Sequence, residues 1–182
     1  CEIEARLAAA PWGRGEIECD DLLAFYHPET LRQICALRRY LLARANDGGL
    51  DGVDNWIRMV ALNRLTGHSP GFFSVYTMPP NQAVFVKAQL KINARRAQTP
   101  PSRNVAELIF KKSRALLAEG APPVCDARLA VTDAGRLEHV ADAAVDLVVT
   151  SPPFLDVVDY RGDNWLRNWF AGVDPERLGI SQ

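Results

Sequence analysis

Residues 145–154 read VDLVVTSPPF, and this stretch decides the fold expected of the chain. Val145, Leu147, Val148 and Val149, with Thr150, make a β-branched run that is mostly apolar on both faces. Such a run reads as a strand buried inside a parallel sheet. It stops abruptly at Ser151-Pro152-Pro153-Phe154. In open α/β sheets ligands bind at the carboxyl ends of strands, so a binding loop is expected there. The double proline makes a stiff turn whose carbonyls are free to accept and which has no backbone N–H of its own. Ser151 adds a hydroxyl acceptor and Phe154 a flat apolar face. This set suits a planar ring bearing an exocyclic amino group: the ring stacks on Phe154, and Ser151 with the Pro152 carbonyl region accepts the two N–H bonds. Pro153 completes the turn.

Those acceptors have a chemical purpose. The amino nitrogen of cytosine or adenine is a poor nucleophile because its lone pair is delocalised into the ring. Acceptors outside the ring plane favour a more tetrahedral nitrogen, which can attack a methyl sulfonium held in line. No metal or thiolate is needed, and no metal site is expected. The four cysteines, Cys1, Cys19, Cys35 and Cys125, contain no CxxC pair, and His27, His68 and His139 do not join them in a zinc spacing.

VDLVVTSPPF resembles the catalytic motif of S-adenosylmethionine-dependent DNA amino-methyltransferases, in which Asp, Asn or Ser precedes Pro-Pro and an aromatic residue. Residues 156–170, DVVDYRGDNWLRNWF, are similar to the segment that follows that motif in the cytosine-N4 and adenine-N6 branch. Cys125-Asp126-Ala127-Arg128 resembles the family's acidic loop, which implies that Asp126 contacts the adenine of the cofactor. The resemblance implies methyl transfer from S-adenosylmethionine to a base flipped out of duplex DNA. Cytosine N4 is favoured by the serine, with adenine N6 as the alternative. It also implies a bacterial restriction–modification or phage role. The family's Phe-x-Gly-x-Gly cofactor loop is not matched: Gly13-Arg14-Gly15 follows no strand, and Gly48-Gly49 sits at a helix end. The expectation is therefore a fragment whose cofactor pocket is completed by a missing segment or another chain, and the start at Cys1 rather than Met agrees with that. A non-catalytic DNA-binding fragment and an RNA or protein amide methyltransferase remain as rivals.

Upstream of residue 119 the pattern is helical. Leu31, Ile34, Leu37 and Leu41 form one stripe from Pro28, ended by Asn46-Asp47-Gly48-Gly49. Asp54 is a candidate cap for a second helix carrying Ile57, Val60 and Leu65. Residues 72–77, FFSVYT, read as a strand or an extended segment. A third helix is expected from Asn81, with Val84, Phe85, Ala88 and Ile92 on one side and Lys87, Lys91 and Arg95 on another, and a fourth from about Asn104 to Ala118, with Val105, Leu108, Ile109 and Leu116 inward. Trp165 and Trp169 lie at helical spacing and read as core rather than as base-stacking platforms. The fold class expected is α/β: a partial Rossmann-like methyltransferase segment over 119–182, with a further short strand at 122–127, preceded by a mainly helical region over 1–118.

The 182 residues are 48% hydrophobic and 24% charged, ordinary for a soluble globular protein, and the four cysteines read as reduced, mostly buried thiols of a cytoplasmic protein. There is no apolar run of about 18 residues, so no membrane span is expected. Net charge is −1, but it is unevenly spread. Residues 87–114 carry eight basic residues and one acidic one, net +7, against −2 for residues 1–86 and −6 for 115–182. Lys87, Lys91, Arg95, Arg96, Lys111 and Lys112 are accordingly candidate contacts to DNA phosphates, and Tyr76 and Asn81 candidate base-reading residues.

Overall fold

The computed structural model describes residues 1–10, 12, 16–78, 83–120, 126–128, 130, 132, 135–151 and 159–177. Seven helices run through them: α1 (Glu2–Ala9), α2 (Pro28–Asn46), α3 (Gly52–Leu62), α4 (Val86–Arg96), α5 (Val105–Leu116), α6 (Tyr160–Asp163) and α7 (Trp165–Ala171). A 3-10 turn at Asp20–Ala24 sits between α1 and α2, and another follows at Pro175–Arg177.

The helix starts follow from local chemistry. Pro28 occupies the first turn of α2, where its missing N–H is no loss, and His27 Nδ1 accepts from the Glu29 amide. Asp51, rather than Asp54, caps α3. The two form a reciprocal pair in which each carboxylate accepts from the other's backbone N–H, at 2.8 and 3.4 Å. Asn104 caps α5 by accepting from the Glu107 amide.

One core joins these elements. Leu31, Ile34, Leu37 and Leu41 of α2 pack with Ile57, Val60 and Ala61 of α3 and with Val105 and Ile109 of α5. Leu22, Phe25 and Tyr26, from the turn ahead of α2, are fully buried in the same cluster. The Tyr26 hydroxyl donates to the Leu65 carbonyl at 3.0 Å, and burial pushes that phenol well above its ordinary pKa. Leu166 and Phe170 of α7 belong to the same core.

The segment 72–77 is neither a strand nor a straight extended run: residues 72–75 are bends that follow the end of α3, and only Tyr76 makes a bridge. A parallel bridge pairs Gly67 with Tyr76, Val75 N donates to Phe25 O, and Phe73 N donates to Arg64 O. Gly67 is needed there because a Cβ would run into the Phe72 ring.

The α/β expectation is overturned: the described residues are helical and contain no sheet. Residues 145–150 have no strand partner and stand exposed, with Val149 86% accessible. Of the expected strand at 122–127, Asp126 and Ala127 are exposed and outside any strand, and residues 122–125 lie outside the described residues. The partial Rossmann-like reading of 119–182 therefore does not hold for the residues described. β-propensity reports how well a side chain fits a pleated surface that other strands supply, and the described residues supply no such surface.

Candidate nucleic-acid interface

Residues 87–114 span α4, its exit turn and most of α5. The helix α4 packs on the 3-10 turn at Asp20–Ala24, whereas α5 packs on α1, α2 and α3, so the basic residues fall into two groups. Lys87, Lys91, Arg95 and Arg96 of α4 are exposed. On α5, Lys111 and Arg114 are exposed, and Lys112 is half-buried. Lys111 and Arg114 edge a shallow hollow of about 350 Å3 with Phe110 and Ala115.

The arginines of the first two helices are used differently. Arg6 and Arg44 bind Asp51 and Asp54, Arg32 binds Glu29, and Arg38 and Arg39 share Glu18. Among the described residues, none of the eight basic side chains of 87–114 makes an ion pair. An unneutralised cluster of this kind attracts a polyanion, because a salt of protein cations with phosphates releases the counterions condensed on the nucleic acid.

The orientation of α4 differs from the expected one. Phe85 is 64% exposed and Ala88 is exposed, while Gln89 is fully buried. The reason is a knot of amides. Gln89 Nε2 donates to Tyr76 O at 3.0 Å and to Asn93 Oδ1 at 2.8 Å. Gln98 Nε2 makes the same two bonds at the same distances. Asn93 Nδ2 donates to Ala24 O at 2.7 Å. Main-chain carbonyls shielded from water need donors, and Gln89 and Asn93, four residues apart on one helix face, supply them. Apolar Phe85 and Ala88 cannot, so they face outward. Gln98 returns to the knot through Ala97, whose φ of 47° is left-handed.

Tyr76 is half-buried, and the Arg96 guanidinium lies over its ring at 3.8 Å from the centroid. Gln89 Oε1 and Thr77 Oγ1, next to this knot, are buried without a hydrogen-bond partner. Asn81 lies outside the described residues. Gln89, Asn93 and Gln98 escaped the sequence reading. The visible signal was a polar pair at positions 89 and 93 inside an otherwise amphipathic helix.

Of the proline-loop residues, Ser151 is exposed and belongs to no helix or strand, and Pro152, Pro153 and Phe154 lie outside the described residues. Asp126 is exposed. Neither residue sits at a strand end among the described residues. Of the segment downstream of the loop, residues 159–170 are described, and its two tryptophans pack on the body. Trp165 Nε1 donates to Ala83 O at 2.9 Å, its ring lies 6.0 Å from that of Phe25, and Arg38 stacks over Trp169 at 5.0 Å. Both tryptophans are half-buried and packed against the core.

Among the described residues no group of three or more His, Cys, Asp or Glu side chains is placed to hold a metal. No described helix is long and apolar enough to cross a membrane. Comparison with protein families, with curated proteins and with solved structures gives no match.

Proposed function

We propose that this chain is the DNA-contacting part of a DNA amino-methyltransferase, and that residues 87–114 hold the sugar–phosphate backbone. The observation that carries the DNA contact is the set of eight unpaired cations on α4, its exit turn and α5. The methyltransferase assignment rests on Thr150-Ser151-Pro152-Pro153-Phe154 and its downstream segment. Cytosine N4 is the favoured target and adenine N6 the alternative. S-adenosylmethionine would be held in the intact enzyme by residues beyond those described, with Asp126 as this chain's own candidate contact. A cytoplasmic location goes with this reading. A second reading, a non-catalytic DNA-binding protein, is favoured by the exposure of both Asp126 and Ser151.

Replacing Lys87, Lys91 and Arg95 together by glutamate tests the DNA contact. Each phosphate contact contributes roughly 0.9 to the slope of log affinity against log salt. The triple variant is expected to weaken duplex binding uniformly across sequences and to flatten that slope by roughly 2 to 3. Fluorescence anisotropy between 50 and 200 mM salt (about the range over which such contacts show) measures it. An unchanged slope would assign DNA contact elsewhere.

A further inference from the structure

Arg96 differs from its neighbours in having a platform beneath it. Lys87, Lys91 and Arg95 project from α4 with no ring contact among the described residues, whereas Arg96 lies 3.8 Å over Tyr76. Stacking fixes the plane of a guanidinium while leaving its N–H edges free, and Arg96 spends none of them on a carboxylate among the described residues. The platform is itself held. The Tyr76 carbonyl accepts from both Gln89 and Gln98, and Asn93 ties those amides to Ala24.

The surroundings are costly to fold. Ala97 is left-handed without being glycine, and Gln89 Oε1 and Thr77 Oγ1 are buried and unsatisfied. Strain and unsatisfied polar atoms gathered at one place are expected where the local structure serves a function rather than stability.

We infer that Arg96 reads guanine in duplex DNA, donating two bonds to O6 and N7 in the major groove, while Lys87, Lys91 and Arg95 contact phosphates. This rests on the DNA-binding reading above and adds to it the base and the residue that reads it. A planar fork with its orientation fixed matches the two acceptors of guanine, which is why arginine on guanine is the commonest specific contact. An ammonium has the charge but not the fork. Lys87, Lys91, Arg95 and Arg96 are all exposed on α4, the element that would enter that groove.

The test is selection from a pool of randomised duplexes by the full chain, by Arg96→Lys and by Tyr76→Leu, followed by salt titrations on the selected site. The wild type is expected to select a guanine at one fixed position and to bind roughly five- to a hundred-fold more weakly when that pair is changed to A·T. Arg96→Lys is expected to lose this preference while keeping its bulk duplex affinity and its salt slope. Tyr76→Leu, with its thermal melt checked against wild type, should lose the preference as well. Retention of the guanine preference in Arg96→Lys overturns the inference, as does wild-type binding without base preference. A variant Arg96→Ala that flattens the salt slope by about 1 with preference intact would make Arg96 a phosphate contact instead. Absence of any duplex binding by the wild type would remove the interface and this inference together.

Discussion

Asp54 has no exposed side-chain surface, and it holds three helices to one point. Arg6 Nη1 of α1 donates to its Oδ1 at 2.5 Å, Arg44 Nε of α2 to its Oδ2 at 2.5 Å, and the Tyr40 hydroxyl of α2 to Oδ1 at 2.9 Å. Burial by itself raises the pKa of this carboxyl, but the Arg44, Arg6 and Tyr40 hydrogen bonds outweigh it and hold the group below the usual carboxylate range. Its neighbour Asp51 is held down at about 2, chiefly by Arg6. Both groups are depressed in the folded state, so the stability they contribute is fully present above the unfolded carboxylate value of about 4. It is lost as pH falls through about 2. Thermal melts should therefore be insensitive to these two groups from pH 7 to about 5 and show an acid limb below about 4. Asp54→Ala should cost about 3 kcal/mol at neutral pH, the lower end for a broken buried pair because both arginines keep access to water. It should also shorten the acid limb. A variant with unchanged melting temperature and an unchanged acid limb would remove Asp54 from this role.

At the scale of elements, α7 shows how a short helix is held. Seven residues are too few for a helix to persist alone in water. Leu166 and Phe170 are its buried face. Its last carbonyls, which have no partner within the helix, receive two arginines from the body: Arg38 Nε donates to Trp169 O at 2.8 Å, and Arg58 Nη2 donates to Ala171 O at 3.2 Å. Gly172 then closes the helix with φ 68°, and a Cβ there would lie 2.6 Å from the Leu42 side chain. Phe170→Ala is expected to cost about 3–5 kcal/mol, the range for a large buried aromatic replaced by a methyl. Urea denaturation gives the loss, and a red shift of tryptophan emission reports the exposure of Trp165 and Trp169. A loss below about 1 kcal/mol, within the range of an ordinary surface change, would mean that α7 is not part of the cooperative core.

The whole molecule separates its charges by use. The arginines of α1 and α2 are paired with carboxylates, whereas residues 87–114 leave a net +7 without carboxylate partners among the described residues. Asp126 is exposed, and the sequence matches no Phe-x-Gly-x-Gly cofactor loop. Isothermal calorimetry on the chain is therefore expected to give weak binding of S-adenosylmethionine or none. One-to-one binding in the micromolar range, about −8 kcal/mol, would overturn that expectation and reveal a pocket made by other residues.

The chain by itself determined where α2 and α5 begin and how its charge is distributed. Pro28 and Asn104 are start signals readable within three residues, whereas the cap of α3 is Asp51 rather than the expected Asp54, and α4 begins at Val86 rather than at the expected Asn81. The stripe Leu31, Ile34, Leu37 and Leu41 marks a buried face, because helix caps and periodicity are local properties. The clustering of basic residues over 87–114 is likewise plain in the letters. Only the tertiary structure decided which side of α4 faces inward, because the carbonyls of Ala24 and Tyr76 that claim Gln89 and Asn93 come from distant parts of the chain. It also decided that Leu147, Val148 and Val149 stand exposed. Their β-branched, apolar character is the same in or out of a sheet, and pairing depends on partner strands that local sequence cannot supply.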